Sequence, residues 1–350
     1  MSTSITELLL PLLLGRSLSS TQKSQLATQM LADQDWAAAF GVSSETVDEI
    51  IEVRSHLLPQ LYPKVQAYWH QCQISTPCLD LLWQLWLPLA QQLIQKHQRL
   101  NRPLIQGIVG MQGAGKSTLT AMLCLILEHL GYTSITISID DLYKTYAERQ
   151  KLVQQDPRLI WRGPPGTHEV ELGIEILDLL RSGATANIPR FDKSAYGGQG
   201  DRIGFETVAP VNIVLFEGWF TGLFPLPVSA FDAAPSPIDT LADRAFAQEM
   251  NQALGAYLPL WDRLDSLMVL QLTDHQLSQR WRREAERDAI STGKAGMRDE
   301  EIEQFVNYFW KALHPALFIP ALIKQRQAVD LVIDINRDHL PCKVFSGPQA

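Results

Sequence analysis

Apolar positions recur every three to four places through the first hundred residues, in stretches at 5–14, 22–31, 47–58 and 81–94. That spacing predicts helices, each with one apolar stripe. Leu82, Leu85, Trp86, Leu89 and Leu93 share one face of the last, which must therefore bury against another layer. Ser44, with Glu45 in the first turn, is the expected N-cap region of the third helix. Pro59, Pro63 and Pro77 are expected to mark boundaries. The period changes after Asn101. Continuous apolar runs at 104–109, 134–139, 211–216, 266–272 and 330–335 predict strands buried on both faces. A helix is predicted from Lys116 to Leu130, with Gly131 as its C-terminal cap. Strands alternating with helices imply an α/β fold, doubly wound, with a mostly parallel sheet and helices on both faces. An all-helical N-terminal extension, 1–100, is expected before the α/β domain, 101–350, with Arg102-Pro103 as a short linker. The Pro-, Ala- and Ser-rich residues 225–238 are expected to be an irregular insertion.

Composition narrows the function classes. With 350 residues, 46% hydrophobic and 19% charged, the chain can bury a sizeable core, and global disorder is excluded. A net charge of -8 argues against a general nucleic-acid binder, which would carry a basic stripe. The apolar run 8–14 is too short to span a bilayer, and no basic leader precedes it, so a cytoplasmic protein with no membrane partner is expected. Cys72, Cys78, Cys124 and Cys342 form no CxxC pair and no zinc-type spacing, as expected for reduced thiols. The charge is uneven. Residues 144–202 hold nine basic and eight acidic side chains, and 274–298 hold six and four, whereas 203–273 hold two and eight.

The strongest chemical signal is GMQGAGKS, from Gly110 to Ser117, which fits G-x-x-x-x-G-K-[ST] between a predicted strand and a predicted helix. Such a loop turns successive N–H groups onto a polyphosphate at a helix N-terminus. Gly110, Gly113, Ala114, Gly115, Lys116, Ser117 and Thr118 are therefore expected to bind ATP. Lys116 would reach the outer phosphates, and the Ser117 hydroxyl would ligate Mg²⁺. Glu217, closing the run VNIVLFEG, is the candidate second magnesium or water-orienting group.

SIDDLYKT ends the second predicted strand with two adjacent acids. Phosphoryl transfer to a hydroxyl needs a carboxylate to accept its proton. Asp140 is the expected base, Asp141 serves metal or substrate, and the assignment between the two stays open. Tyr143 completes the candidate block. Two Pro/Gly-rich segments, 162–169 and 188–202, are expected to be loops that bring Arg162, His168, Arg190, Asp192 and Lys193 to a small carboxylate-bearing substrate. On a predicted helix in 274–298, Arg280, Arg283 and Arg287 fall on one face with Arg282 beside them. Such a helix can act as a lid, with Arg283 on the moving phosphoryl and Arg280 and Arg287 on ATP. Arg283 and Arg287 repel at i,i+4 unless an anion sits between them.

Together GMQGAGKST, IDDLY, RGPPGTHE, PRFDKSAYGGQGDR and LFEGW, in this order, resemble the plant and cyanobacterial-type D-glycerate 3-kinases. These belong to the wider uridine kinase, pantothenate kinase and phosphoribulokinase group of P-loop kinases. The resemblance spans about residues 104–340 and implies ATP–Mg²⁺-dependent phosphorylation of D-glycerate to 3-phosphoglycerate. It aligns Asp140 with the group's catalytic carboxylate, Glu217 with its second strand-end acid and 280–287 with its lid. Other acceptors of the group (a nucleoside, pantothenate or a sugar phosphate) are the alternative, and a non-catalytic ATP-binding scaffold is a more distant one. An ABC-type ATPase is disfavoured because Phe216 stands where its acidic strand-end residue belongs, and a GTPase because no NKxD occurs.

Overall fold

The computed structural model describes residues 4–72, 74, 76–291, 298–325 and 329–347. Its strands are β1 (Leu104–Gly110), β2 (Ser134–Ser138), β3 (Ala186–Asp192), β4 (Asp201–Val208), β5 (Ile213–Gly218), β6 (Ser266–Leu272), β7 (Val329–Ile335) and β8 (Pro341–Ser346). The main sheet runs β2-β5-β1-β6-β7-β8, parallel except for β8, which returns antiparallel on β7. The five apolar runs all form strands of this sheet. The chain crosses from β1 to β2 on one side and continues to β6 on the other, so the strand order reverses beside β1. Open α/β sheets bind ligands at such a switch point.

Alternation along the strands assigns the two faces. Leu104, Ile108, Leu215, Met268, Leu270 and Ile333 share a core with the helix Lys116–His129 and the N-terminal helices. Ile105, Val109, Val214, Phe216, Val269 and Val332 pack with the helices Val170–Arg181, Leu241–Ala253 and Asp299–Ala312. Residues of the N-terminal hundred therefore cover one face of the sheet. Leu82, Leu85, Trp86, Leu89 and Leu93 are all buried in that contact. Lys96 pairs with Asp330 and donates to the Ser266 hydroxyl at 3.2 Å, tying the last N-terminal helix to the sheet. Arg102, in the expected linker, is fixed to Asp265 by two bonds of 2.6 and 3.0 Å.

Three local expectations are corrected. The helix Val47–Gln71 runs through Pro59 and Pro63 instead of ending there. An interior proline costs about 3 kcal/mol, while each fully buried Leu or Val returns roughly 1.5–3 kcal/mol. Leu58, Leu61 and Val65 are fully buried along this helix, and Trp69 nearly so, which outweighs the lost bonds. Its N-cap is Thr46, not Ser44: the Thr46 hydroxyl accepts from the Ser43 N–H and donates to the Gly41 carbonyl, both at 2.9 Å. Not all of 188–202 is loop: 188–192 and 201–202 are strand, because β3 and β4 form a separate antiparallel ribbon whose tip is 193–200. Pro189 is tolerated there because a two-stranded ribbon has only edge strands, and Gly204 takes φ +140 opposite Arg190, next to a register shift. Residues 225–238 are irregular apart from one short turn at Val228–Phe231. Gly131 (φ +84) ends the P-loop helix, with the Tyr132 N–H returning to the Leu127 carbonyl at 2.9 Å. Among the described residues, no helix is long and apolar enough to cross a membrane.

Candidate active site

The site begins where β1 ends. Gly113 (φ +80) and Gly115 (φ +84) adopt left-handed backbone as the chain curls from strand into helix. Only glycine holds that conformation without strain. A Cβ on Gly113 would also come within 3.1 Å of the Trp281 ring, which lies against this turn. Lys116 is the first helical residue, and its ammonium donates to the carbonyls of Gly110 (2.7 Å) and Met111 (3.1 Å). Burial pushes its pKa down, while Glu217 and Asp140 pull it up.

The parallel register places the acids. Ser138 pairs with Glu217 across β2 and β5, and Ile108 of β1 pairs with Glu217 on the other side. The ends of three neighbouring strands thus converge. Glu217 is buried, and the Ser117 hydroxyl donates to it at 3.4 Å. The chain then makes a short 3-10 turn, Ile139–Leu142, which separates the two adjacent acids. Asp140 faces a cleft of about 750 Å³ in front of the P-loop. Asp141 turns back: its carboxylate accepts from the Ser138 N–H at 3.0 Å and from Arg190 at 3.1 Å.

The two carboxyls differ in charge environment as well. Burial pushes Asp140 up, but the Lys193 ammonium at 2.6 Å and the Tyr143 hydroxyl outweigh it and hold the carboxyl below its ordinary value. For Asp141, burial prevails over Ser138 and Arg190, and the pKa rises.

The same cleft is lined by Lys116, Ser117, Tyr143, Arg162, Lys193, Glu217 and Arg282. Arg162 arrives from the 162–169 loop, donates to the Gly198 carbonyl at the ribbon tip (2.6 Å) and lies over the Phe191 ring. Lys193 is on that tip. Ribbon and loop therefore brace each other across the cleft mouth.

Several expected substrate contacts lie elsewhere. Asp141 and Arg190 answer each other, and Arg190 also pairs with Glu206 at 2.7 Å. Asp192 is spent on the N–H and hydroxyl of Ser194, at 2.8 and 2.7 Å. His168 is buried behind Tyr143, stacked on it at 4.5 Å, with Nδ1 2.8 Å from the Tyr257 hydroxyl. Burial lowers its pKa to about 3, so it is a neutral support for Tyr143 and not a substrate cation.

The lid face is also different. The helix spans Leu277–Ser291, and positions 292–297 of the expected lid lie outside the described residues. Arg280 pairs with Glu284 (2.8 Å), Arg287 with Asp299 (2.7 Å), and Arg283 approaches Glu303 (3.9 Å). The anions expected between Arg283 and Arg287 are thus carboxylates of the neighbouring helix. Arg282, the residue beside the predicted face, lines the cleft. Trp281, buried against Gly113, sets that rotation of the helix. Sequence reasoning also missed the apolar lining by Trp161, Trp219, Phe305 and Phe309, which in the sequence are indistinguishable from core residues.

No protein-family model matches the chain. It is 33% identical over 254 residues to the chloroplastic D-glycerate 3-kinase of Arabidopsis thaliana, covering 68% of this chain and 54% of the relative. The chain thus spans about half the length of that relative. It is 33% identical over 219 residues to an uncharacterized kinase of Schizosaccharomyces pombe, covering 60% of this chain and 79% of the relative. The solved structure of a D-glycerate 3-kinase from Cryptococcus neoformans superposes with a TM-score of 0.68 at 28% identity, covering 75% of this chain and 99% of that one. With the P-loop, the strand-end acids and the basic loop found in one cleft, these similarities show that the chain belongs to the D-glycerate 3-kinase family of P-loop kinases.

Proposed function

We propose that this chain transfers the γ-phosphoryl group of ATP to the terminal hydroxyl of D-glycerate, giving ADP and 3-phosphoglycerate. One observation carries the reading. Among the described residues, Lys116, Arg162, Lys193 and Arg282 share a single cleft with Asp140 and Glu217 as its acids, in a chain whose net charge is -8. A site of that balance suits two anions, a polyphosphate and a carboxylate, brought together.

Roles follow from position. The P-loop N–H groups and Lys116 hold the β- and γ-phosphates. Arg162 and Lys193 orient the glycerate carboxylate at the cleft mouth. Asp140 accepts the hydroxyl proton as the oxygen–phosphorus bond forms and the β,γ-bridge breaks. Arg282 meets the charge on the transferring group. Tyr143, backed by His168, holds the Asp140 carboxylate in place. Ser117 and Glu217 adjoin as a hydroxyl and a carboxylate, the hard oxygen ligands that suit Mg²⁺ when phosphates supply the rest. Bound there, the ion would neutralise phosphate charge.

The test is ADP release measured with D-glycerate, L-glycerate, uridine and pantothenate as acceptors. Turnover with D-glycerate well above the others is expected. Preference for another acceptor would remove the glycerate assignment and leave the kinase, and no turnover with any would remove both.

A further inference from the structure

A second cleft, of about 360 Å³, lies on the opposite side of the P-loop. Gly113 lines both clefts, so the loop is the partition between them. One wall is the P-loop and the start of its helix, Gly115, Thr118 and Leu119. The other wall comes from the N-terminal hundred residues, through Trp69, Thr76, Leu81 and Leu85. The floor is the turn between β7 and β8, with His339, and the first residue of β8, Pro341.

We propose that the N-terminal helices form the nucleobase wall of the nucleotide site, so that base and ribose of a nucleoside triphosphate lie against Trp69, Thr76, Leu81 and Leu85. The inference rests on the ATP-dependent reading above and deepens it. The reacting γ-phosphate must face Lys116, Asp140 and Glu217 in the first cleft. A chain of three phosphates wrapped on the P-loop then emerges with its base on the other side. The chemistry of the second cleft agrees: its lining is mainly aliphatic and aromatic, which suits a flat uncharged ring.

The walls are held before any ligand arrives. The Trp69 indole donates to the Thr76 carbonyl at 2.7 Å, and its ring packs on Trp86 with centroids 5.2 Å apart. His339 sits at φ +60, in the left-handed region that non-glycine residues rarely adopt. Asn336 holds the turn, accepting from the N–H groups of Asp338 (2.9 Å) and Leu340 (3.1 Å). His339 also stacks on Trp281, the residue that covers Gly113, with centroids 3.9 Å apart. Strain retained at a cleft edge and locked by specific bonds is a mark of positioning.

The test is calorimetric titration of the full chain with ADP and, separately, with tripolyphosphate. Thr76→Trp fills the cleft from a half-buried position. It is expected to weaken ADP about tenfold or more while tripolyphosphate stays within about twofold. His339→Ala, on an exposed turn, is expected to weaken ADP alone in the same direction and carries the test if Thr76→Trp fails to fold. ADP affinity unchanged in the folded variants, or equal losses for both ligands, would overturn the proposal. So would an unaltered chain that binds tripolyphosphate and not ADP. If ADP behaves as expected but D-glycerate is not phosphorylated, the wall stands and the acceptor reading falls.

Discussion

The two clefts beside the P-loop are built from opposite materials. Among the described residues, the front one gathers four cations and two carboxylates from the P-loop, β5, the 3-10 turn, the basic loop, the ribbon and the helix Leu277–Ser291. The rear one gathers aromatic and aliphatic side chains from the N-terminal helices and the β7–β8 turn. Charge is concentrated where a phosphoryl group and a proton would move, and apolar surface where a base would rest. One loop of eight residues separates two solvents. Substitutions in front should therefore change turnover or its pH dependence, and substitutions behind should change nucleotide affinity.

The sharpest way to break that division is Asp140→Asn. It is expected to lower kcat at least ~100-fold, the low end for a general base, while calorimetry shows ADP affinity retained. Near-normal turnover would remove Asp140 from the role, and lost ADP binding would mean the two clefts are not separable.

A smaller effect tests which face of the helix Leu277–Ser291 serves the front cleft. Arg282→Ala should reduce kcat by about tenfold or more, since a bond to a charged group is worth ~1.5–3 kcal/mol. Arg283→Ala and Arg280→Ala remove pairs with the exposed carboxylates of Glu303 and Glu284 and should stay within about threefold. The reverse order in steady-state kinetics would show that the helix rotates before catalysis.

The smallest expected effect is on pH dependence. Burial raises the Asp140 carboxyl, but Lys193 and Tyr143 hold it below its ordinary value, so the proposed base stays ionised as pH falls. Lys193→Met removes the leading opposing cation. The pKa must then rise, and the acid limb of the kcat profile should move to higher pH. An unmoved limb would assign it to another group.

The helix Leu277–Ser291 and the N-terminal helices also show why legibility was uneven. Helical periodicity places Arg280, Arg283 and Arg287 on one face, but not which face meets the cleft. Trp281 decides that by packing on Gly113, a contact 168 positions distant in the chain. The stripe Leu82, Leu85, Trp86, Leu89 and Leu93 announces burial, yet its partner, the face of a sheet that begins at Leu104, is not written in the stripe. Asp140 and Asp141 carry the same chemistry in the sequence. A single 3-10 turn sends one to the cleft and the other to Ser138 and Arg190.

The sequence by itself determined the P-loop, the alternating α/β plan and the positions of the buried strands along the chain. Each depends on residues adjacent in the chain or on a period that local geometry imposes. Only the tertiary structure decided that Asp140 and Arg282 enter the front cleft, that His168 and Asp192 do not, and that the N-terminal helices wall the rear one. Those outcomes depend on which distant surface each side chain meets, and packing settles that for the whole molecule at once.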